Sequence, residues 1–148
     1  DQRGVENQGL VDFRRIAHRP DGSEEEAVVS LVMLINPPCP AMSHFFCHQH
    51  KSDLVWVEDW MTHPNGANGI TCISYVADRP SVFKDRFEGI YSAAAVPLTA
   101  DTLLVTTDRG NFEVLTRELA KTRFHGVDIP ATAQQLPSVL APRIGKEL

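Results

Sequence analysis

The feature that most constrains this chain is a pair of β-prone runs, residues 11–17 and 27–35, that meet at "HRPDGSEEE". Pro20, Asp21 and Gly22 supply the fixed and positive-φ positions of a tight turn, and the three glutamates after it stay in water. The two runs therefore form an antiparallel hairpin. Its second arm, "AVVSLVMLI", is apolar at both parities, as suits a strand covered on both faces or a buried helix. The β-branched content and the turn before it select the strand.

Downstream, "NPPCPAM" cannot continue a strand because its prolines lack the donor a ladder needs, so it reads as a connection to a third strand over residues 44–49. Residues 52–61 are suited to short helical turns capped by Ser52 or Asp53, and "HPNGANG" is a loop. The pattern then restarts. "GITCISYVA" reads as a strand, Pro80 opens a helix that runs to about Phe87 and closes at Gly89, and "TLLVTTDRGNFEVLT" is a hairpin turned at residues 108–110. Thr116 caps the short helix "RELAKTRF". With a further strand hidden in the link containing "YSAAAVPL", the order is βαβββ. After Gly126, prolines at 130, 137 and 142 predict a tail along the surface.

A chain of 148 residues with 43% hydrophobic positions has enough apolar side chains for a real core. The net charge of -5 comes without any basic run interleaved with aromatics, which argues against nucleic acid as a partner. Cys39, Cys47 and Cys72 are odd in number and lack a C-x-x-C spacing, so a disulfide framework and a thiolate zinc cluster are both unsupported and a reducing cytoplasm is expected. No apolar run reaches the ~20 residues of a membrane span, and no secretory leader pattern opens the sequence.

Candidate chemistry gathers in "FFCHQHKSDLVWVEDWMTHPNGANGI", residues 45–70, which holds three of the six histidines and both tryptophans. On a strand, His48 and His50 share a face at a spacing of ~6.5 to 7 Å, within reach of one metal ion; wet strand ends also tolerate histidine without any ligand. His63, inside a Pro-Asn-Gly loop, fits a structural hydrogen-bonding role better. In the later hairpin, Glu113 takes the face opposite Phe112 and Val114. If a helix covers the Phe112 side, Glu113 looks onto the concave side of the sheet, where a carboxylate needs a metal, a cation or water. Trp56 and Trp60, four apart, suit a shared helical core face. Cys47 and Cys72 read as inert core thiols. No nucleophile elbow and no phosphate loop is present.

These motifs resemble a known family. "FFCHQHKSDLVW", then "HPNGANGI", then a strand and helix leading to "RGNFEVLT" look like the glyoxalase-like branch of the vicinal oxygen chelate superfamily, over residues 11–124. The resemblance implies an α+β fold of βαβββ modules forming a curved mixed sheet with helices outside. It implies a glyoxalase-like domain over residues 1–125, with a partial module at 11–50, a complete one at 69–116, and the proline-containing tail at 126–148. Glu113 falls where the family's last strand bears its metal glutamate, and His48 or His50 would be a second ligand to a divalent ion. The usual first-strand histidine falls at Cys72, and "CHQH" is one residue longer than the common C-Q-H, so the ligand set departs from the pattern.

The implied function is binding of a small molecule in the concave sheet, with the divalent ion polarising substrate oxygens in lyase, isomerase or dioxygenase chemistry for which Glu113 would be catalytic. The alternative is a metal-free binding module, as in drug-sequestering relatives, with a pocket of Phe46, Trp56, Trp60 and Tyr75. A cupin-like barrel using His48 and His50 ranks below both, because a completing carboxylate and third histidine are not nearby. The partial module lacks an opening strand and helix, and the sequence opens on Asp1. Residues upstream, or a second copy in a homodimer bordering the cavity near Glu113, are expected to complete it.

Overall fold

The computed structural model describes residues 4–35, 43–62, 64–129 and 138–146, with residue 68 and residues 138–146 as backbone only. The chain is α+β and separates into two compact units, one built mainly on Glu6–Ile35 and His44–Asn68, the other on Gly69–Gly145. The boundary falls at the end of the "HPNGANG" stretch.

In the first unit, β1 (Asn7–His18), β2 (Glu24–Leu34) and β3 (Phe45–Gln49) form an antiparallel sheet in the order β1-β2-β3. The Arg19–Ser23 turn sets the β1–β2 register: Gly22 sits at φ 83°, and the Asp21 carboxylate accepts from both the amide and the hydroxyl of Ser23. His18 consequently faces Glu24, and Asp12 faces Ser30. Across the next pair, Ser30 faces His48 and Leu31 faces Cys47. A 3-10 turn at Ser52–Leu54 and α1 (Glu58–Met61) follow, and Leu54 is buried with Ala17 and Ala27 in a small core.

The second unit holds β4 (Ala67–Val76), α2 (Lys84–Ile90), β5 (Thr102–Thr107), β6 (Gly110–Leu115), α3 (Arg117–Arg123) and β7 (Ser138–Lys146), with sheet order β5-β6-β4-β7. β4 and β6 are parallel, joined through α2, while β5 and β6 form the expected hairpin. The strand sought in the Tyr91–Leu98 link is reduced to one antiparallel bridge, Leu98 to Leu103. One face of the sheet carries Ile73, Tyr75, Leu103, Val105, Phe112 and Val114 and packs on Phe83, Phe87 and Val96. On the other face, Val76 and Leu115 pack against Ala120 of α3 and Ile129, with Leu119 and Phe124 around them.

Three local expectations are corrected. Residues 80–83 are a 3-10 turn that passes into α2, and Gly89 lies inside that helix; the next backbone bond, Tyr91 N–H to Phe87 C=O, carries the turn past it. The tail is not only a surface segment: β7 adds to the sheet beside β4. Prolines at 137 and 142 argue against a strand in the sequence, but an edge position tolerates a missing donor. Cys47 is exposed on β3, whereas Cys72 is buried as expected. Cys39 and His63 lie outside the described residues.

Candidate functional site

Glu113 takes the strand face opposite Phe112 and Val114, as its parity requires, and stands beside Ser74 of β4. That face is not an open concavity. α3 packs on it, and the Glu113 carboxylate, almost wholly buried, is held by two donors: the Ser74 hydroxyl at 2.5 Å and the guanidinium of Arg123 at the end of α3. Thr116 starts that helix by accepting from the Leu119 amide at 3.4 Å, which fixes where Arg123 arrives. A helix therefore covers both faces of the sheet, and the cation that a buried carboxylate needs is a side chain of this chain. The role of Glu113 visible here is to tie α3 to β6, and its oxygens are engaged. Neither Ser74 nor Arg123 stood out in the sequence; the signal available was that residue 74 shares the parity of Val76, and that a cation in the last helical turn can reach back to the strand before it.

His48 and His50 belong to the other unit. Their rings do come together, with centroids 4.7 Å apart and nearly perpendicular. Two residues missed by the sequence reading organise them. The Ser30 hydroxyl lies 2.7 Å from Asp12 Oδ1 and 2.7 Å from His50 Nε2. A carboxylate only accepts, so the hydroxyl proton points to Asp12 and the His50 Nε2–H donates to the hydroxyl oxygen; of the two neutral tautomers this bond selects the one with its lone pair on Nδ1. The chain of bonds runs from His50, just past the end of β3, to Ser30 of β2 and Asp12 of β1. This is the reverse of a hydrolase triad, in which serine gives its proton to histidine, so Ser30 is not a nucleophile in this arrangement. It is a device that holds one imidazole in one tautomer. The sequence contained the signal: a hairpin about residue 21 sets Asp12 opposite Ser30, the lone polar residue of "AVVSLVMLI".

Of the expected pocket residues, Phe46, Trp56 and Trp60 belong to the first unit and Tyr75 to the second. Tyr75 is buried in the core of the second unit, against the elements that carry Phe83 and Phe87. Phe46 is exposed on β3 at the parity of His48. Trp56 donates its indole N–H to Gln49 Oε1 at 2.7 Å, and Gln49 has the opposite parity. Trp56 precedes α1 and Trp60 lies within it, so they do not share a helical face, and both are exposed. A cavity of about 220 Å³ in the second unit is lined by Ile70, Ile73, Phe112, Arg109 and Asn111 among others, and one of similar volume in the first unit by Arg19, Asp21, Glu58 and Asp59 among others. Neither includes an expected site residue.

Around the second cavity, Arg19 bonds Asp53 at 2.5 Å and Glu25 at 3.3 Å, and Lys51 pairs with Glu25. The hydrogen bond from Arg19 holds the Asp53 carboxyl below its ordinary range, and the one from Lys51 does the same for Glu25. These ion pairs clamp the hairpin turn to the Ser52–Leu54 turn.

Of the metal set implied by the resemblance, Glu113 is bonded to Arg123 and Ser74 within the second unit, and His48 and His50 belong to the first. Among the described residues, no three or more His, Cys, Asp and Glu side chains are grouped so as to hold an ion, and no helix is long and apolar enough to cross a membrane.

No family model matches the chain, and no curated protein matches it. A solved structure described as the crystal structure of a hypothetical protein from Staphylococcus aureus is similar to it, with a TM-score of 0.56 and 11% sequence identity. The similarity covers 78% of this chain and 45% of that one, so the chain spans less than half the length of that neighbour. At this identity the likeness is one of fold.

Proposed function

We propose that this is a glyoxalase-like, vicinal-oxygen-chelate-type domain that binds a small molecule, and that its ligand surface is the sheet face bearing Phe46, His48 and His50. The module reading draws support from the second unit, where β4 runs parallel to β6, α2 connects, and the Leu98 bridge stands in the place of a strand. The observation that carries the ligand surface is the bond chain His50 to Ser30 to Asp12. A histidine on an open strand gains nothing from being fixed in one tautomer unless its other nitrogen meets something. With Nε2–H committed, the Nδ1-acceptor tautomer offers a lone pair, and Phe46, at the same parity on the far side of His48, offers apolar area. The ligand class is therefore a small, largely apolar molecule carrying a hydroxyl or amine donor.

Phenol and anisole, alike in size but not in donor, test this by saturation-transfer NMR on the full chain. Phenol should receive magnetisation and anisole should not, and His50→Ala should abolish the phenol signal. Equal signals from both, or a phenol signal unchanged in His50→Ala, would defeat the proposal. A second reading, a divalent ion on the His48–His50 pair, rests on the ring spacing of 4.7 Å. Such an ion would polarise an oxygen of the ligand. Zinc titration followed by the imidazole resonances decides it: shifts confined to His48 and His50 support the ion, and their absence at millimolar zinc rejects it.

A further inference from the structure

We propose that β1 pairs antiparallel with β1 of a second copy of this chain, about a two-fold axis at Phe13. β1 is the outer strand of its sheet, twelve residues long, and it exposes apolar side chains on both faces: Leu10 (70%) and Ile16 (53%) on one, Val11 (56%) and Phe13 (54%) on the other. Long, apolar, uncovered edges are what folded chains avoid or use.

The backbone says which residues can pair. In β2 the even-numbered residues bond toward β3, as Leu34 N–H to His44 C=O and His50 N–H to Val28 C=O show. The odd ones therefore bond β1, opposite Val11, Phe13 and Arg15. Leu10, Asp12, Arg14 and Ile16 direct their N–H and C=O groups away from the sheet. A two-fold antiparallel pairing through these groups must be centred on one residue, and the side chains choose which. Centring on Asp12 sets two aspartates against each other, and centring on Arg14 or Arg15 sets two arginines together. Centring on Val11 runs the ladder into the irregularity between Asn7 and Leu10.

Centring on Phe13 sets Leu10 opposite Ile16, Asp12 opposite Arg14, and Phe13 on itself. The stretch Leu10–Ile16 is thus self-complementary in charge and apolarity, the requirement of an isologous contact. Within one chain, Arg14 lies 3.0 Å from Glu26 and 4.0 Å from Asp12, both exposed pairs that leave it able to reach a second copy. Asp12 also ends the His50–Ser30 chain, so Arg14 of the second copy would stand against the anchor of that site. The edge belongs to the unit of Asp12, not to that of Glu113. The inference stands on the edge alone and does not require the ligand proposal.

The test, made without any ligand, is light scattering of the full chain across micromolar to millimolar concentration, with circular dichroism to verify folding. A dimer is expected. Arg14→Asp should weaken it about ten-fold or more by setting like charges together, and adding Asp12→Arg should restore it, since the swap recreates both pairs. In a Cys39→Ser, Cys47→Ser background, Phe13→Cys should form an intermolecular disulfide on mild oxidation, and Val11→Cys should not, because Val11 faces Arg15. A monomer at every concentration, a dimer indifferent to Arg14→Asp, or cross-linking at Val11→Cys in preference to Phe13→Cys would each overturn the proposal.

Discussion

Replacing Arg123 by methionine keeps most of the side-chain volume and removes the charge that faces Glu113. The glutamate side chain is 5% exposed and that of Arg123 35%. Breaking a buried ion pair by deleting one partner costs about 3–5 kcal/mol, because the remaining charge is left in a medium that solvates it poorly. Two features reduce that here: water reaches the exposed part of the arginine site, and the Ser74 hydroxyl still donates to the carboxylate. The expected loss is therefore about 2–3 kcal/mol at neutral pH. Urea unfolding followed by circular dichroism measures it, and amide exchange in β4 and β6 shows whether the loss is local to this layer. Adding Glu113→Gln to Arg123→Met should recover part of the stability, since an amide is cheaper to leave half-satisfied than a carboxylate. A change below about 0.5 kcal/mol in the single variant, the range of ordinary surface substitutions, would refute the reasoning. So would a double variant less stable than Arg123→Met alone.

Gly110→Ala should destabilise the β5–β6 hairpin by about 1–3 kcal/mol, because Gly110 sits at φ 147° and a Cβ there would stand 3.0 Å from the Ile70 carbonyl oxygen; thermal melting checks it. Thr116→Ala removes the acceptor of the Leu119 amide and should cost about 0.5–2 kcal/mol in urea unfolding, while Thr116→Ser should cost much less. The Arg19–Asp53 and Lys51–Glu25 pairs give an acid-side prediction. Both carboxyls lie below their ordinary values of 3.8 and 4.5 in the folded chain, so the unfolded chain binds more protons as pH falls; their stabilisation is present above that range and is lost below it. Melting temperatures should fall from pH 6 to pH 3, and the fall should be shallower in Asp53→Asn, Glu25→Gln. An identical slope would remove these pairs from the account.

The turn at "HRPDGSEEE", the caps and the strand periods were local matters, and the sequence determined them: Gly22 and Gly110 occupy positive φ, Thr116 caps α3, and parity put Glu113 opposite Phe112 and His48 beside His50. Local chemistry fixes such features because a turn, a cap or a strand face depends on residues a few positions apart. What covers each face is another matter. Parity gave Glu113 its side of the sheet, yet only the packing of α3 decided that the side was closed and that Arg123 supplied the countercharge. Tyr75 followed the same rule, passing from expected pocket wall to core once α2 lay on its face. The exposure of Phe46, Trp56 and Trp60 likewise depends on whether another layer arrives, which no period of 2 or 3.6 encodes. Asp12 and Ser30 stand between these cases, for their pairing was fixed by the turn, and only the third strand, brought alongside from residues 45–49, turned that pair into an anchor for His50.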